Sequence, residues 1–395
     1  TGRDVTVTAV SARSRSKDRG INLSGLAWEN DPIALAMRED VDVFVELIGG
    51  SDGPAKDATE AAIAAGKDVV TANKAMLAVH GQSLALAAES AGRAIRFEAA
   101  VAGGIPVVKA LSEGLAGNKI NRILGVMNGS CNYILTRMET SGLTYEDIFA
   151  EANALGYLEA DPNLDVGGID AAHKLALLAS IAYGTEVDFD NVVLEGIGAV
   201  TIEDIRAAAD MGYRVKLLGV AQMTGRGLEQ RMTPCLVPTI SPLGQLEGGT
   251  NMVILEGDDS GQIVLRGAGA GEGPTASAVM SDILDLARGL RLNTFGQPAK
   301  TLNKAHPAAT TTPAPFYLRM QLLDKPGALA KIAAVMGEAG VSIDRMRQYG
   351  HDAGKAPVLI VTHKTTRAAI DQVLVDFNIT KVVEGTPVAL RIETA

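Results

Sequence analysis

Apolar and polar positions alternate with period two over residues 5 to 10, VTVTAV, and predict a strand there. Residues 40 to 50, DVDVFVELIGG, are β-rich and closed by glycines, which predicts a second strand; DPIALAMRED between them has helical spacing. The same punctuation continues through a helix near DATEAAIAAG, a short strand in KDVVTANK, a helix near GQSLALAAESAG and the strand AIRFEAA. Short strands alternating with helices imply an α/β, Rossmann-like doubly wound parallel sheet, with ligand beyond the C-terminal ends of the strands.

From about residue 106 the texture changes. Pro106 suits the first turn of a helix over VVKALSEGL, and Thr144 with Asp147 and Thr201 with Asp204 are capping-type helix starts. The strand-like stretches NRILGVM, RVKLLGVAQM, MTPCLVP, NMVILEG and QIVLRGAG are spread among them. They predict an α+β domain with a mixed or antiparallel sheet, followed by one long helix in PTASAVMSDILDLARGL. Residues 292–315 are rich in Pro, Thr and Ala without apolar periodicity and read as a linker. After it, residues 316–395 run strand, helix, strand, strand, helix, strand, a ferredoxin-like βαββαβ unit. The expected organisation is an α/β domain over 1–105 supplemented by about 270–300, an α+β domain over 106–269, the linker, and the C-terminal unit.

Composition narrows the function. A chain of 395 residues has room for about two or three domains. With 46 acidic and 36 basic residues its formal charge is −10, which repels phosphate backbones and argues against a nucleic-acid partner. Cys131 and Cys235 lie in unlike contexts with no CxxC, so neither a disulfide scaffold nor a zinc site is expected, and a reducing cytoplasm is the natural compartment. No apolar run approaches the ~20 residues of a membrane helix, so a soluble protein without a membrane partner is expected. The chain lacks an initial Met and enters a strand pattern within four residues, as if mid-domain.

Several stretches could carry chemistry. GAGAGEGPT at 267–275, containing Gly271, follows a strand and precedes a helix, a setting for anion binding, but its spacing is not GxGxxG and a close-packed turn explains it equally well. VAGGIP at 101–106 follows the solitary acid Glu98; a glutamate beside exposed carbonyls could hold a hard cation, or simply flank a glycine turn. After the first strand, where a carboxylate would hold a ribose 2′-hydroxyl, SARSRSKDRG instead offers Arg13, Arg15 and Lys17, suited to a 2′-phosphate if not merely a solvated basic loop. TANK places Asn73 and Lys74 directly after a strand, at the ligand edge of such a sheet.

The densest stretch is ADPNLDVGGIDAAHK at 160–174. A helix starting near Gly168 puts Asp170 in its first turn and Lys174 one turn later on the same face. As a surface ion pair this would contribute roughly 0–1 kcal/mol. The following LALLASIAY is apolar on nearly every face, so the helix is deeply packed and its lysine needs a partner. Glu159, Asp161 and Asp165 crowd one loop, a repulsion that a positively charged ligand would relieve. The chemistry fits Lys174 as acid/base in hydride transfer at a carbonyl, with Asp170 and Glu159 orienting substrate and proton.

ANALGYLEADPNLDVGGIDAAHK at 152–174 resembles the homoserine dehydrogenase signature, departing from it at Leu158, where that family usually has a small residue. ELIGG, TANK, FEAAVAGGIP, GVMNGSCNYIL, and GAGAG followed by PTA look like further landmarks of that family in order, so the resemblance covers essentially the whole chain. It implies NADP-dependent (NAD possible) interconversion of L-aspartate 4-semialdehyde and L-homoserine, on the path to threonine, isoleucine and methionine. It also implies nucleotide binding for the domain over 1–105 and catalysis and dimerisation for the domain over 106–269. By position, Lys174 looks like the proton donor and acceptor and Asp170 the carboxylate positioning it. Glu159, Tyr157, Gly129, Ser130 and Asp165 fall on the substrate side. Lys74, Asn73, Arg13, Gly49, Gly50 and Gly271 fall on the cofactor side. Glu98 with the carbonyls of Val101, Gly103 and Ile105 resembles a monovalent cation site, usually sodium.

The C-terminal unit resembles an ACT domain, an amino-acid-binding module, with DKPGAL (Asp324, Gly327, Ala328) and GVSI (Val341, Ser342) as the matching loop and strand start. The resemblance implies an amino-acid effector, L-threonine, and a homo-oligomer; a purely associative role for the module is the alternative. The family opens with a strand and a GxGxxG loop, and this chain begins after both, which leads us to expect an open edge within the sheet and weak or absent cofactor binding for this chain. A rival reading is an amino-acid-binding regulatory protein on an impaired dehydrogenase scaffold. Another is a different amino-acid dehydrogenase with the same nucleotide fold.

Overall fold

The computed structural model describes residues 2–158, 161–350 and 354–394. Strands β1 (Ala9–Ser11) and β2 (Ala27–Glu29) pair in parallel. Only the end of the alternating stretch is strand, because Val5 and Val7 find no partner and are 45% and 64% exposed. Helix α1 (Pro32–Met37) starts where Asp31 accepts the Ile33 amide and proline occupies the first turn.

There follow β3 (Val43–Glu46), α2 (Pro54–Ala64), β4 (Asp68–Thr71), α3 (Lys74–Ser90) and β5 (Ile95–Arg96). The three strands form a parallel sheet in the order β3-β4-β5, with every residue of β4 buried. Among the described residues β1 and β3 belong to separate sheets, so β3 has an open edge on the side away from β4. Glu98–Ala100 form a 3₁₀ turn, and the helical segment α4 (Val107–Lys109) widens into a π turn at Ala110–Gly114.

The central layer is one large, mostly antiparallel sheet. It draws on β6 (Ile120–Val126), β7 (Val193–Leu194), β8 (Tyr213–Thr224), β9 (Gly227–Pro238), β10 (Thr250–Gly257) and β11 (Gly261–Ala268). Helices α5 (Gly129–Ser141), α6 (Tyr145–Ala154), α7 (Pro162–Val166), α8 (Ile169–Tyr183), α9 (Ile202–Asp210) and α10 (Glu272–Ala287) punctuate it. The two capping starts form as their sequence predicts: Thr144 accepts the Asp147 amide, and Thr201 with Asp204 makes a reciprocal capping box.

The C-terminal unit contributes β12 (Phe316–Leu323), α11 (Ala328–Glu338), β13 (Ile343–Gln348), β14 (Lys355–Thr362), α12 (Arg367–Ile379) and β15 (Val383–Ile392). Its sheet is continuous with the central one, in the order β11-β10-β6-β8-β9-β15-β12-β14-β13. The junction is a short parallel pairing of Arg391 with Cys235 and Ile392 with Leu236.

Period-two alternation in β12 explains how one strand serves two cores. Phe316, Leu318, Met320 and Leu322 face α11 and α12 in a separate core, while Tyr317 joins the main core with Leu359, Val361, Leu390 and Ile392. Residues 292–315 are pinned rather than free: Asn303 bridges to Thr185, Pro307 to Leu228 and Ala314 to Thr365, and Thr312 donates to Glu229. These anchors run chiefly through backbone, so they leave no apolar period in the sequence.

Candidate active site

Asp170 and Lys174 sit on α8, whose first turn follows Gly168. Ten of that helix's residues are buried, the pair among them, because its leucines and alanines pack on every side. The Lys174 ammonium donates to Asp170 Oδ2 at 2.6 Å and to the Met127 carbonyl at 3.0 Å. On the other carboxylate oxygen, Lys74 Nζ lies 2.9 Å from Asp170 Oδ1. A single carboxylate therefore joins two ammonium groups from distant parts of the chain.

Side-chain exposures of 9% for Lys174 and 7% for Asp170 remove the pair from the class of weak surface bridges. Burial alone would push the Asp170 carboxyl up; the two lysines outweigh it and hold it well below the usual carboxylate range. Burial also pushes the neighbouring His173 imidazole below its ordinary value, against the pull of Asp170, so this ring is neutral near pH 7.

Lys74 reaches this point because β4 and its cap aim it there. Asn73 ends the connection after β4, accepts the Met76 amide as the cap of α3, and donates to the Gly50 carbonyl at 2.8 Å. Glu46, fully buried at the end of β3, accepts from the amides of Ile48 and Gly49 and from Thr71 Oγ1. The ends of β3 and β4 are thus laced together, placing Gly49, Gly50, Asn73 and Lys74 at the C-terminal edge of the parallel sheet. That is where the fold class locates a dinucleotide, and the open space around Gly49 suits one. Arg13 is exposed on the loop after β1, and Arg15 and Arg19 flank the Trp28 ring at 5.9 and 5.7 Å.

The two glycine loops that compete for a phosphate in the sequence pack against each other. A Cβ on Gly103 would lie 2.7 Å from the Gly269 carbonyl oxygen, and Gly104 donates to the Ala268 carbonyl at 3.0 Å. Gly271, next along, precedes the first turn of α10.

On the substrate side, Asn128 caps α5 by accepting the Cys131 amide. Its Nδ2 donates to Asp165 Oδ1 at 2.8 Å and reaches Asp170 Oδ2 at 3.3 Å. Gly129 and Ser130 open that helix, and Ser130 Oγ donates to the Tyr157 carbonyl at 2.5 Å. Tyr157 stacks on Tyr133, ring centres 4.2 Å apart and 12° from parallel. Tyr133 is in turn held through its hydroxyl by Glu151. Glu159 lies outside the described residues. The supposed mutual repulsion of the acidic loop is already answered in part: Asp165 takes Asn128, and Asp161 caps α7 through the Asn163 amide.

Glu98 is 2% exposed, and the amides of Val108 and Lys109 donate one to each of its oxygens. Burial pushes its carboxyl up to about 7 despite those amides. Among the described residues no Lys or Arg pairs with it, and each oxygen keeps lone pairs, so the site suits a small cation; the Val101, Gly103 and Ile105 backbone follows directly.

In the C-terminal unit, Asp324 donates its amide to Gly354, Gly327 precedes α11 and Ala328 is buried in its first turn. Val341 and Ser342 follow the other end of that 11-residue helix, about 16 Å away along its axis. One chain does not bring the two motifs together.

Sequence reasoning missed Asn128, Glu46 and Tyr133. The Asn-Gly-Ser start of α5 does mark Asn128 as a cap, but the Nδ2 of the same side-chain amide donates to carboxylates 37 and 42 positions along the chain.

A family model described as homoserine dehydrogenase matches residues 106–284, its NAD-binding domain matches 1–98, and an ACT domain matches 316–376. The homoserine dehydrogenase of Neisseria gonorrhoeae is 41% identical over 401 residues, covering 100% of this chain and 92% of that one. That of Pseudomonas aeruginosa is 40% identical over 402 residues, covering 99% and 92%. Among solved structures, a homoserine dehydrogenase from Thiobacillus denitrificans superposes with TM-score 0.93 at 37% identity, covering 100% of this chain and 91% of that one. A hyperthermophilic archaeal homoserine dehydrogenase in complex with NADPH gives 0.57 at 28% identity, covering 67% and 76%.

Proposed function

The chain belongs to the homoserine dehydrogenase family, and from that premise we propose that it interconverts L-aspartate 4-semialdehyde and L-homoserine with NADP(H) preferred, serving threonine, methionine and isoleucine synthesis in the cytoplasm. The observation that carries the reading is Asp170 shared between Lys74 of the nucleotide-binding part and Lys174 of the catalytic part. A non-catalytic amino-acid sensor is not favoured, since it gives no reason to bury two ammonium groups on one carboxylate.

A bound nicotinamide dinucleotide supplies the hydride acceptor or donor. Gly49, Gly50, Asn73, Lys74 and Gly271 would hold it, and Arg13 would meet a 2′-phosphate; the NADPH complex of the archaeal relative supports that choice. Lys174 moves the proton at the substrate's carbonyl or hydroxyl oxygen. Asp170 fixes the Lys174 ammonium from one side while the Met127 carbonyl fixes it from another, which leaves one donor direction for the reacting oxygen. Asp165, Ser130, Tyr157 and the turn at Gly129 orient the amino-acid end, together with Glu159. Glu98 and the carbonyls of Val101, Gly103 and Ile105 hold a monovalent cation, sodium, that secures the segment between the two parts.

The C-terminal unit binds an amino-acid effector, L-threonine. Because its two motifs lie at opposite ends of α11, a site built from both takes one from each of two copies, in a homo-oligomer. Turnover of L-homoserine with NADP⁺, followed by nicotinamide absorbance, tests the core of the proposal: Lys174→Ala should abolish it in a folded protein, and undiminished activity in that variant would refute the assignment.

A further inference from the structure

Lys216 on β8 is 2% exposed, yet among the described residues no carboxylate lies within ion-pair distance of it. A buried, unpaired ammonium is costly, so its placement needs a reason. β8 outruns β6 here: β6 pairs only with Gly219, Val220 and Ala221, and the space beyond is filled by α5 and the irregular segment before β10. Lys216 donates to Asn132 Oδ1 at 2.8 Å and to the Leu246 carbonyl. Glu139 and Glu247, the carboxylates whose charge acts on it, are both taken by Arg214 two residues earlier on the strand, which also donates to the Gly244 carbonyl at 2.8 Å. Asn132 Nδ2 donates to the Gly248 carbonyl at 2.7 Å.

A stretch with no regular structure is therefore gripped at residues 244, 246, 247 and 248 from one side. What it presents on the other is Gly249. A Cβ on Gly129 would lie 2.5 Å from the Gly249 carbonyl oxygen, and one on Gly249 would lie 3.3 Å from Tyr157. Gly129 opens α5 next to Asn128, which holds both Asp165 and Asp170. The gripped segment is thus the outer wall of the substrate side, touching Gly129 and Tyr157, whereas Asn73 and Lys74 at the ends of β3 and β4 bond to Gly50 and Asp170.

We propose that Lys216, acting through Asn132 and the Leu246 carbonyl, is a positioning residue that holds the Gly248–Gly249 wall against Gly129 and Tyr157 and so sets affinity for the amino-acid substrate without setting affinity for the cofactor. The inference rests on the substrate assignment made above. An ammonium suits the task because its three donors grip two acceptors at once, and because burial leaves it no water as an alternative partner.

Steady-state kinetics of Lys216→Met with L-homoserine and NADP⁺ test this. We expect the KM for L-homoserine to rise about tenfold while kcat and the KM for NADP⁺ stay within about twofold. Asn132→Ser should behave alike, and the double variant should be no worse than the worse single, since both act on one segment. A general loss of packing would instead lower kcat and weaken both ligands together, and that result, or an unchanged KM for L-homoserine, overturns the proposal. Should Lys216→Met fail to fold, Lys216→Gln and Asn132→Ser are read by the same criterion. An inactive wild type would refute the parent assignment along with this one, whereas an active wild type silenced by Lys174→Ala isolates a failure to Lys216.

Discussion

Asp204 in the first turn of α9 serves two structures at once: one carboxylate oxygen accepts the Thr201 amide and hydroxyl, and the other pairs with Arg319 of β12. Asp204 is fully buried, and Arg319 rises from the face of β12 that joins the main core. Removing the arginine strands a buried charge. Arg319→Met should therefore cost about 3 kcal/mol in urea unfolding, while Asp204→Asn with Arg319→Met should recover part of that loss. Equal stabilities for wild type and Arg319→Met would show that the pair is solvent-screened.

The two-lysine carboxylate gives a second expectation. Asp170→Asn keeps the shape but removes the charge that both ammonium groups share, so kcat should fall by about 10²-fold or more. Combined with Lys174→Ala the losses should not add, because the residues act as one unit. Initial rates on the two single variants and the double variant measure this.

Much of the fold is legible from alternation and caps. Strand identity in β12 and β14, the helix starts at Thr144 and Thr201, and the i, i+4 spacing of Asp170 and Lys174 all follow from local rules. The short-range pattern fails where a partner is remote. VTVTAV alternates but is strand only at its end, since alternation predicts a face and not the neighbour that buries it. Lys74 reads as a loop lysine because its carboxylate lies 96 positions away, at Asp170. Lys216 in RVKLLGVAQM reads as the polar side of a half-exposed strand; that side is covered by a segment without periodicity.

Lys216 also makes a pH prediction. Burial, with help from Arg214 and against Glu139 and Glu247, lowers its ammonium to about 8 from 10.5. Between those values the unfolded chain holds a proton that the folded one does not, so this group's contribution to stability rises with pH from about 8 to 10.5. Below about 8 it costs the fold on the order of 3 kcal/mol. In denaturant titrations at successive pH values, wild type should gain stability relative to Lys216→Met across that window; a relative stability independent of pH would contradict the assignment.

Glu98 supplies a cation test. At pH 7 and fixed ionic strength, replacing choline chloride by sodium chloride should raise the melting temperature of the wild type, because a bound cation stabilises the buried carboxylate. Glu98→Gln should flatten that response. An identical sodium effect in both proteins would place the cation elsewhere.

The junction of Arg391 with Cys235 and of Ile392 with Leu236 also bears on the order in which the protein can be made. Arg231 on β9 pairs with Glu393 as well as Glu229, and Arg122 on β6 pairs with Glu393 as well as Glu256, so the residue that follows β15 gives each guanidinium a second acid. A nascent chain that has emerged only through residue 315 leaves Cys235 and Leu236 of β9 unpaired at the sheet edge, and Arg122 and Arg231 each with one acid in place of two. Completion of the enzyme core thus waits for β15 to be made, and a translation product stalled within the C-terminal unit is exposed to chaperones and to aggregation at that edge.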